Sequence, residues 1–525
     1  MRRTLALCLL TLSLIATACG GSSDNANAVV EADVESAAAQ SSDSAPLDNV
    51  PSTGDPSTGD PSTDDPAAGT STTVPTPGPT PTPSGPRVAA DIDPASVPTG
   101  QARDFGPAPE VSTGDLAPDV AEAIDTLMGE RLSRRVIDQL SFDAITTLGQ
   151  SGDVRVSWWL ADLMRIIPDP DLSARLVTAQ QELLGIEIDP FRPWGFTTDH
   201  LIGWDIPAPP GYFTYKRIAY LAVEPRWEPL FEDGTDIDWR LIHWGGVLID
   251  DRPFGRTDDR CNCIPAADNP ITTDVAGGDE WLDEDTIVFG VSINGEHRAY
   301  PRSIMEVREM VNDTLGDRDF AMPYCTLCGS AQVFFTDEGP AGFARPVLRT
   351  SGLLNRSNKV MYDVNTFSIF DTFLGAAVSG PLGEAGVTFK QNSVITTTWG
   401  RWKADHPDTT VLDISLALGR EDSDLRNTRD ADGPVFPIGE VDPRLPVQED
   451  VLGLVKADGT AIAFHVDSAI DALERGEFIE VDGINVILAS GGVRAVDTEG
   501  NDLGGHQAFW FAWSQFHPDT ELWPV

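Results

Sequence analysis

Four cysteines beyond the N-terminal leader carry the chemistry this chain most needs to position. Cys261 and Cys263 form a Cys-Asn-Cys pair, and Cys325 and Cys328 form Cys-Thr-Leu-Cys-Gly. Sulfur at these spacings supports three chemistries. In an exported chain an even set of cysteines forms disulfides, and a Cys263–Cys325 bridge would close a loop of about 60 residues, worth roughly 3–4 kcal/mol. Four soft ligands would instead suit Zn²⁺ or Cu⁺. A Cys-x-x-Cys pair can also tune one thiolate for thiol–disulfide or electron-transfer chemistry. Met322-Pro323-Tyr324 before the pair and Ala331-Gln332-Val333-Phe334-Phe335 after it predict a strand–turn–strand knuckle. Redox motifs usually open a helix after a strand, so this pattern favours metal or disulfide over thioredoxin-like exchange.

The elements that must hold these sulfurs follow from hydrophobic period. A helical module is expected over 115–186: Val120, Ile124 and Leu127 share one face, Leu132, Val136 and Leu140 another, and Trp159, Leu163 and Ile166 continue the period. Asp171 to Leu184 reads as a further helix, with Leu172, Leu176 and Leu183 apolar and Gly185 as its stop. From about 190, Trp, Gly, Pro and β-branched residues prevail. Short apolar runs such as Ile287-Val288-Phe289 and Val486-Ile487-Leu488 lie near Asn-Gly or Asp-Gly turns, which predicts a mostly antiparallel β body. The fold class is α+β.

Two stretches of that body match each other. Trp399-x-x-Trp402-x-x-x-His406-Pro407-Asp408-Thr409 has the spacing of Trp510-x-x-Trp513-x-x-x-His517-Pro518-Asp519-Thr520. Two related β-rich units are therefore expected, the first at 187–412 with the Cys-x-x-Cys and the second at 413–525 without it. Aligning the copies sets Cys325 opposite Ala489 and Cys328 opposite Gly492, so the second copy should build the same turn without sulfur. Features common to both copies, the Trp pair and His-Pro-Asp-Thr, are explained by packing and turn geometry. Features in one copy only are the better functional candidates.

The N-terminus supplies an address. Arg2 and Arg3, an apolar stretch from Leu5 to Ile15, and Ala16-Thr17-Ala18-Cys19 read as a lipoprotein signal over 1–19 with Cys19 lipidated; a simple cleaved secretion signal is the alternative. Residues 20–87 are rich in Ser, Thr, Pro and Asp and include the repeat Pro-Ser-Thr-Gly-Asp at 51–55 and 56–60. That composition predicts a disordered tether. The expected location is the cell envelope, on the outer face of a bacterial membrane or in the periplasm, with the lipid as membrane partner. No later apolar run is long enough to span a bilayer. The 525 residues carry 82 acidic against 36 basic side chains, a formal charge of −46, which argues against binding a phosphate backbone. The protein or small-ligand partner is not readable from sequence.

Ala299-Tyr300-Pro301, Glu309-Met310-Val311-Asn312-Asp313, Tyr324-Cys325-Thr326-Leu327-Cys328-Gly329, Ser351-Gly352-Leu353 and Met361-Tyr362-Asp363 occur in that order. Together they resemble an uncharacterised family of exported bacterial and archaeal proteins, a domain of unknown function marked by Tyr-Cys-Pro-Leu-Cys-Gly. The resemblance covers 240–412 and is expected to reach the C-terminus; it implies no established activity. This chain departs from the family pattern at Arg308, where members have His, at Thr326 in place of Pro, and over Ser368-Ile369-Phe370-Asp371-Thr372. The lost His removes a potential ligand or base, for which Cys261, Cys263 or Asp371 could substitute. The candidate site is thus Cys325 and Cys328 with Cys261 and Cys263, and Glu309, Tyr324, Tyr362, Asp363 and His406 as candidate neighbours. It is expected to serve as a Zn- or Cu-binding or redox-associated centre, as a disulfide framework for a binding surface, or as a Cys-dependent enzyme site.

Overall fold

The computed structural model describes residues 90–167, 169–256, 261–414, 433–456 and 458–525. The expected leader with Cys19 and the expected tether lie outside the described residues.

Seven helices come first: α1 (Pro118–Met128), α2 (Glu130–Ser133), α3 (Gln139–Gly149), α4 (Ser157–Ile166), α5 (Pro170–Leu184), α6 (Pro193–Gly203) and α7 (Tyr212–Val223). Val120, Ile124 and Leu127 are buried on α1, as their period requires. The second stripe breaks. Leu132 is buried, but Val136 and Leu140 are 41% and 56% exposed. The chain leaves the helix at Arg134, and Asp138 starts a new one by accepting the N–H groups of Leu140 and Ser141. On α5 Leu172, Leu176 and Leu183 are buried, and Gly185 adopts φ +67° at the C-cap.

Helices continue past the expected limit of residue 186, through α6 and α7. The aromatic segment that resembles strand sequence is helical because Tyr212, Lys216, Ala219 and Tyr220 are buried at a period of three and four. Lys216 Nζ meets Asp162 Oδ1 of α4 at 2.8 Å, and the Tyr212 and Tyr220 hydroxyls donate to the same carboxylate. A buried ion pair satisfied on this many sides locks the two helices in register.

Five small sheets follow, set like the blades of a ring. Sheet A comprises Ile242–Trp244, Leu348–Asn355, Asn358–Asp363 and Ile369–Phe370, in that order. Sheet B is ordered Gln391–Asn392, Val333–Phe335, Arg318–Cys325, Met310–Leu315 and Ala267–Asp268, with Ser330–Ala331 paired back onto Arg318–Cys325. Sheet C is Ile395–Thr398, Ile287–Ile293, Glu296–Pro301, Thr410–Leu412 and Thr272–Thr273. Sheet D is His506–Phe509, Asp450–Val455, Ala461–His465 and Glu521–Trp523, and sheet E is Ile479–Val481, Ile484–Ala489 and Gly492–Val496. Most pairings are antiparallel; the parallel ones join Glu296–Pro301 to Thr410–Leu412, Ala461–His465 to Glu521–Trp523 and Ala267–Asp268 to Met310–Leu315. The class is α+β.

The expectation of two duplicated β-rich units is corrected: the strands divide among five blades, not two halves. The matching segments contribute to sheets C and D, and there the shared residues do the same packing work. Trp402 and Trp513 each donate from Nε1 to Oγ1 of Thr409 and Thr520, both at 2.9 Å. The N–H groups of His406 and His517 close the short helices Trp399–Asp405 and Trp510–Phe516 by donating to the Trp402 and Trp513 carbonyls. The expected common turn also differs. Ala489 pairs directly with Gly492, leaving a two-residue turn, whereas Cys325 pairs with Ser330 across a four-residue one.

Candidate functional site

The strand Arg318–Cys325 runs into the core, its last six residues all buried. At Cys325 the chain turns, the Cys328 N–H donating to the Cys325 carbonyl at 3.2 Å. Gly329 takes φ +61° and lets Ser330–Ala331 return alongside. A Cβ at Gly329 would also press on the Phe509 ring at 3.1 Å. Sheet D seals the turn from that side, where the Phe509 N–H donates to the Cys328 carbonyl at 2.8 Å. The predicted strand–turn–strand knuckle is what forms. It brings Cys325 Sγ and Cys328 Sγ to 2.7 Å, with the residues 2% and 0% exposed.

The sheet A hairpin closes the other side. Its turn presents the Ser357 carbonyl 3.4 Å from Cys328 Sγ and Asn358 Oδ1 3.1 Å from the same sulfur. Next along, Lys359 is buried, with Nζ 2.9 Å from Glu309 Oε2 and donating to the Glu309 carbonyl at 2.5 Å. Glu309 follows the helix Arg302–Arg308 at φ +51°, a left-handed conformation uncommon for a residue with a side chain. Its carbonyl also accepts the Tyr324 N–H at 3.0 Å. An Arg302–Arg308 helix end, a strand and a hairpin thus converge on two sulfurs.

The two thiols are not equivalent. Burial pushes Cys325 up, but the hydrogen bond with Cys328, the Lys359 N–H and the Lys359 charge outweigh it and leave the thiol below its ordinary value. Burial drives Cys328 well above, and the neighbouring Cys325 adds to the rise. Of the two, Cys325 is the thiol whose ionisation is favoured and Cys328 the one whose ionisation is opposed.

A cleft of about 320 Å³ lies against this wall. Asn358 and Lys359 line it together with Arg356, Asp371, Thr372 and Phe516. The same short hairpin turn therefore faces the sulfurs and the cleft.

Other sequence candidates stand elsewhere. Cys261 and Cys263 are bonded to each other, with Cα atoms 5.0 Å apart, which corrects the expected Cys263–Cys325 bridge. The shared bond also corrects the four-thiolate metal site, since neither sulfur is a free thiolate. Among the described residues no group of three or more His, Cys, Asp or Glu is disposed to hold a metal ion. Tyr324 adjoins Cys325 in sequence, but its ring packs on Phe289 at 4.9 Å in the core. The Tyr362 hydroxyl donates to the Asp250 carbonyl at 2.7 Å, and Asp363 accepts the Val347 N–H from the neighbouring segment and the Thr366 N–H within its own turn. Burial raises the Asp363 carboxyl. His406 stacks on His297 at 3.9 Å beside sheet C, and burial lowers it. Glu309 stands beside the sulfurs through its ion pair with Lys359.

Sequence reasoning missed Lys359, Asn358 and Arg356. One signal was available: the chain has only five Lys, and Lys359 lies in an otherwise strand-like run, Asn358-Lys359-Val360-Met361-Tyr362.

Residues 261–498 match the family described as a protein of unknown function (DUF3179), so the resemblance read from the sequence holds over that stretch. No curated protein and no solved structure matches the chain.

Proposed function

We propose that this is a lipid-anchored envelope protein whose Cys325 and Cys328 form a dithiol–disulfide redox couple. Cys19 carries the anchor, 20–87 is the tether, and the remainder is the head. The observation that carries the redox reading is the unequal pair itself: two sulfurs at 2.7 Å, one lowered beside the buried Lys359–Glu309 pair and one raised. A purely structural bridge gains nothing from a cation beside one sulfur, whereas an attacking thiolate does.

The step balances as a two-electron exchange. Cys325 thiolate attacks one sulfur of an external disulfide, forming a mixed disulfide and releasing one thiolate. Cys328 then gives up its proton to that thiolate and attacks Cys325 Sγ. The second external sulfur leaves as a thiolate and takes a proton from water, so the protein gains one disulfide and the partner two thiols. Lys359 holds charge at Cys325 before the attack, and Asn358, which lines the cleft and touches Cys328, orients the second thiol.

Mixed-disulfide trapping tests this. With 2-hydroxyethyl disulfide, Cys328→Ser should accumulate an adduct on Cys325, and Cys325→Ser should form little on Cys328. Equal adducts, or none on either variant while the unfolded chain reacts, would overturn the reading. Zn²⁺ or Cu⁺ held by the two thiolates is the rival, and it predicts metal release in both variants.

A further inference from the structure

A second cluster able to do chemistry lies on sheet D. His465 ends the strand Ala461–His465 and caps the helix Val466–Glu474. It is buried, with Nε2 2.8 Å from Glu449 Oε1 and Nδ1 2.7 Å from Ser468 Oγ. These partners fix the tautomer. Nδ1 accepts the Ser468 backbone N–H at 3.4 Å, so the ring proton is on Nε2 and is donated to Glu449. The Ser468 hydroxyl must then donate to Nδ1. A hydroxyl, an imidazole nitrogen free to take its proton and a carboxylate behind the imidazole are thus joined by consecutive hydrogen bonds.

Capping a helix does not require these three side chains, because the matching junction of sheet C forms without them. Thr286 and Glu449 hold the same place, their carbonyls accepting the Trp399 and Trp510 N–H groups, both at 2.8 Å. Pro301 ends the strand Glu296–Pro301 and caps the helix Arg302–Arg308, as His465 does in sheet D. Ile304 stands at the third helical position, as Ser468 does. Thr286, Pro301 and Ile304 offer no general base, whereas Glu449, His465 and Ser468 supply nucleophile, base and carboxylate together. All three line a cleft of about 470 Å³, within the range of small-ligand sites, and Ser468 is only half-buried. Asp91, Asp93, Asp467 and Asp471 also line it, and its one cation, Arg475, is paired with Glu477 at 2.8 Å. An anionic ligand would meet four carboxyl groups there.

We propose that Ser468, His465 and Glu449 form an active site, separate from the Cys pair, that hydrolyses small carboxylic esters bearing no negative charge. Ser468 Oγ attacks the ester carbonyl carbon while its proton passes to His465 Nδ1, and Glu449 stabilises the imidazolium through Nε2. That proton goes to the leaving alcohol as the carbon–oxygen bond breaks, and the acyl group stays on Ser468. Water then gives a proton to Nδ1 and attacks the acyl carbon; the acid departs and Ser468 Oγ recovers the proton. The N–H groups of Val466 and Asp467, at the first two helical positions, have no intrahelical acceptor and adjoin Ser468 in the chain. Such donors stabilise the oxyanion of an acyl transfer.

The test treats the full chain in detergent at pH 8 with an alkyl fluorophosphonate, which reacts with activated serines, and maps the adduct by peptide mass. The adduct should fall on Ser468. Ser468→Ala, which keeps the backbone N–H cap on His465, should lose it. His465→Gln should slow labelling about a hundredfold. Glu449→Gln should slow it about tenfold and move the acid limb of its pH profile lower, because an imidazolium without its carboxylate loses its proton more readily. A merely structural Glu449 would change the melting temperature and leave that limb in place. Of two esters matched in their leaving group, methyl 4-acetoxybenzoate should acetylate Ser468 about tenfold faster than 4-acetoxybenzoate. Equal rates would overturn the substrate class. No adduct on Ser468, or one that forms no faster than on the urea-unfolded chain, would overturn the active site itself.

Discussion

At the scale of residues the site depends on one buried cation. Lys359 lies against Cys325 and is held by Glu309 at 2.9 Å. Lys359→Met should raise the Cys325 thiol, since burial then acts unopposed by that charge, and leave a carboxylate facing the sulfur. A lowered thiol loses its proton at lower pH, so wild-type exchange should rise with pH earlier than for a free cysteine. The variant's profile should move to higher pH, with the rate at pH 7 falling about tenfold and recovering in alkali. Adding Glu309→Gln removes the stranded carboxylate and should return part of the loss. Stopped-flow kinetics with 2-hydroxyethyl disulfide across pH 6–10 reads both. The sulfurs themselves were legible in the sequence because a Cys pair at this spacing is chemically conspicuous. Lys359 and Arg356 were not, because their role comes from a hairpin turn that crosses from another sheet.

At the scale of elements, what was readable was local. The strand before Cys325, the turn and the return strand follow from a short stretch of sequence, as does α5 with its Gly185 stop. The Val136 and Leu140 stripe failed because a single cap, Asp138, breaks the helical period between them. The division into five sheets was hidden for a different reason. Strand partners such as Ile242–Trp244 and Leu348–Asn355 lie about a hundred residues apart, and pattern alone does not pair distant strands. The repeated Trp motif does mark real packing. Cβ atoms at Gly290 and Gly453 would lie 2.2 and 2.3 Å from the Trp402 and Trp513 rings. Neither glycine has positive φ, so the constraint is close approach. Gly290→Ala and Gly453→Ala should each destabilise by about 1–3 kcal/mol, read from urea midpoints, with Gly195→Ala, where the nearest atom is 3.9 Å away, free of this steric cost.

At the scale of the whole molecule, the buried His506 and the half-buried His517 couple sheet D to pH. His506 sits among Phe373 and Trp513, and burial pushes it down to about 3, while His517 falls to about 4. Both are depressed below the free value near 6.5, so the unfolded chain binds protons that the folded chain refuses. Their contribution to stability is complete above about pH 6.5 and is lost as pH falls from there towards 4 and 3. His506→Gln should therefore flatten the fall in melting temperature between pH 6.5 and 4.5, even if its melting temperature at pH 7 is lower. Calorimetry on both proteins measures that slope. The proposed anchor makes a separate prediction: Cys19→Ser should move the exported protein from the membrane fraction to the soluble one, as immunoblotting of fractionated cells would show.

The central claim is that Cys325 and Cys328 cycle between dithiol and disulfide in the folded protein. The most direct measurement is native and denaturing mass spectrometry of the exported chain, equilibrated across a series of reduced-to-oxidised glutathione ratios and mapped by peptide. The account predicts a metal-free chain in which the 325–328 peptide passes reversibly from both thiols to the internal disulfide while the fold persists. A metal adduct that disappears on denaturation, with both thiols reduced at every ratio, would contradict it. So would a 325–328 disulfide that yields only when the protein unfolds.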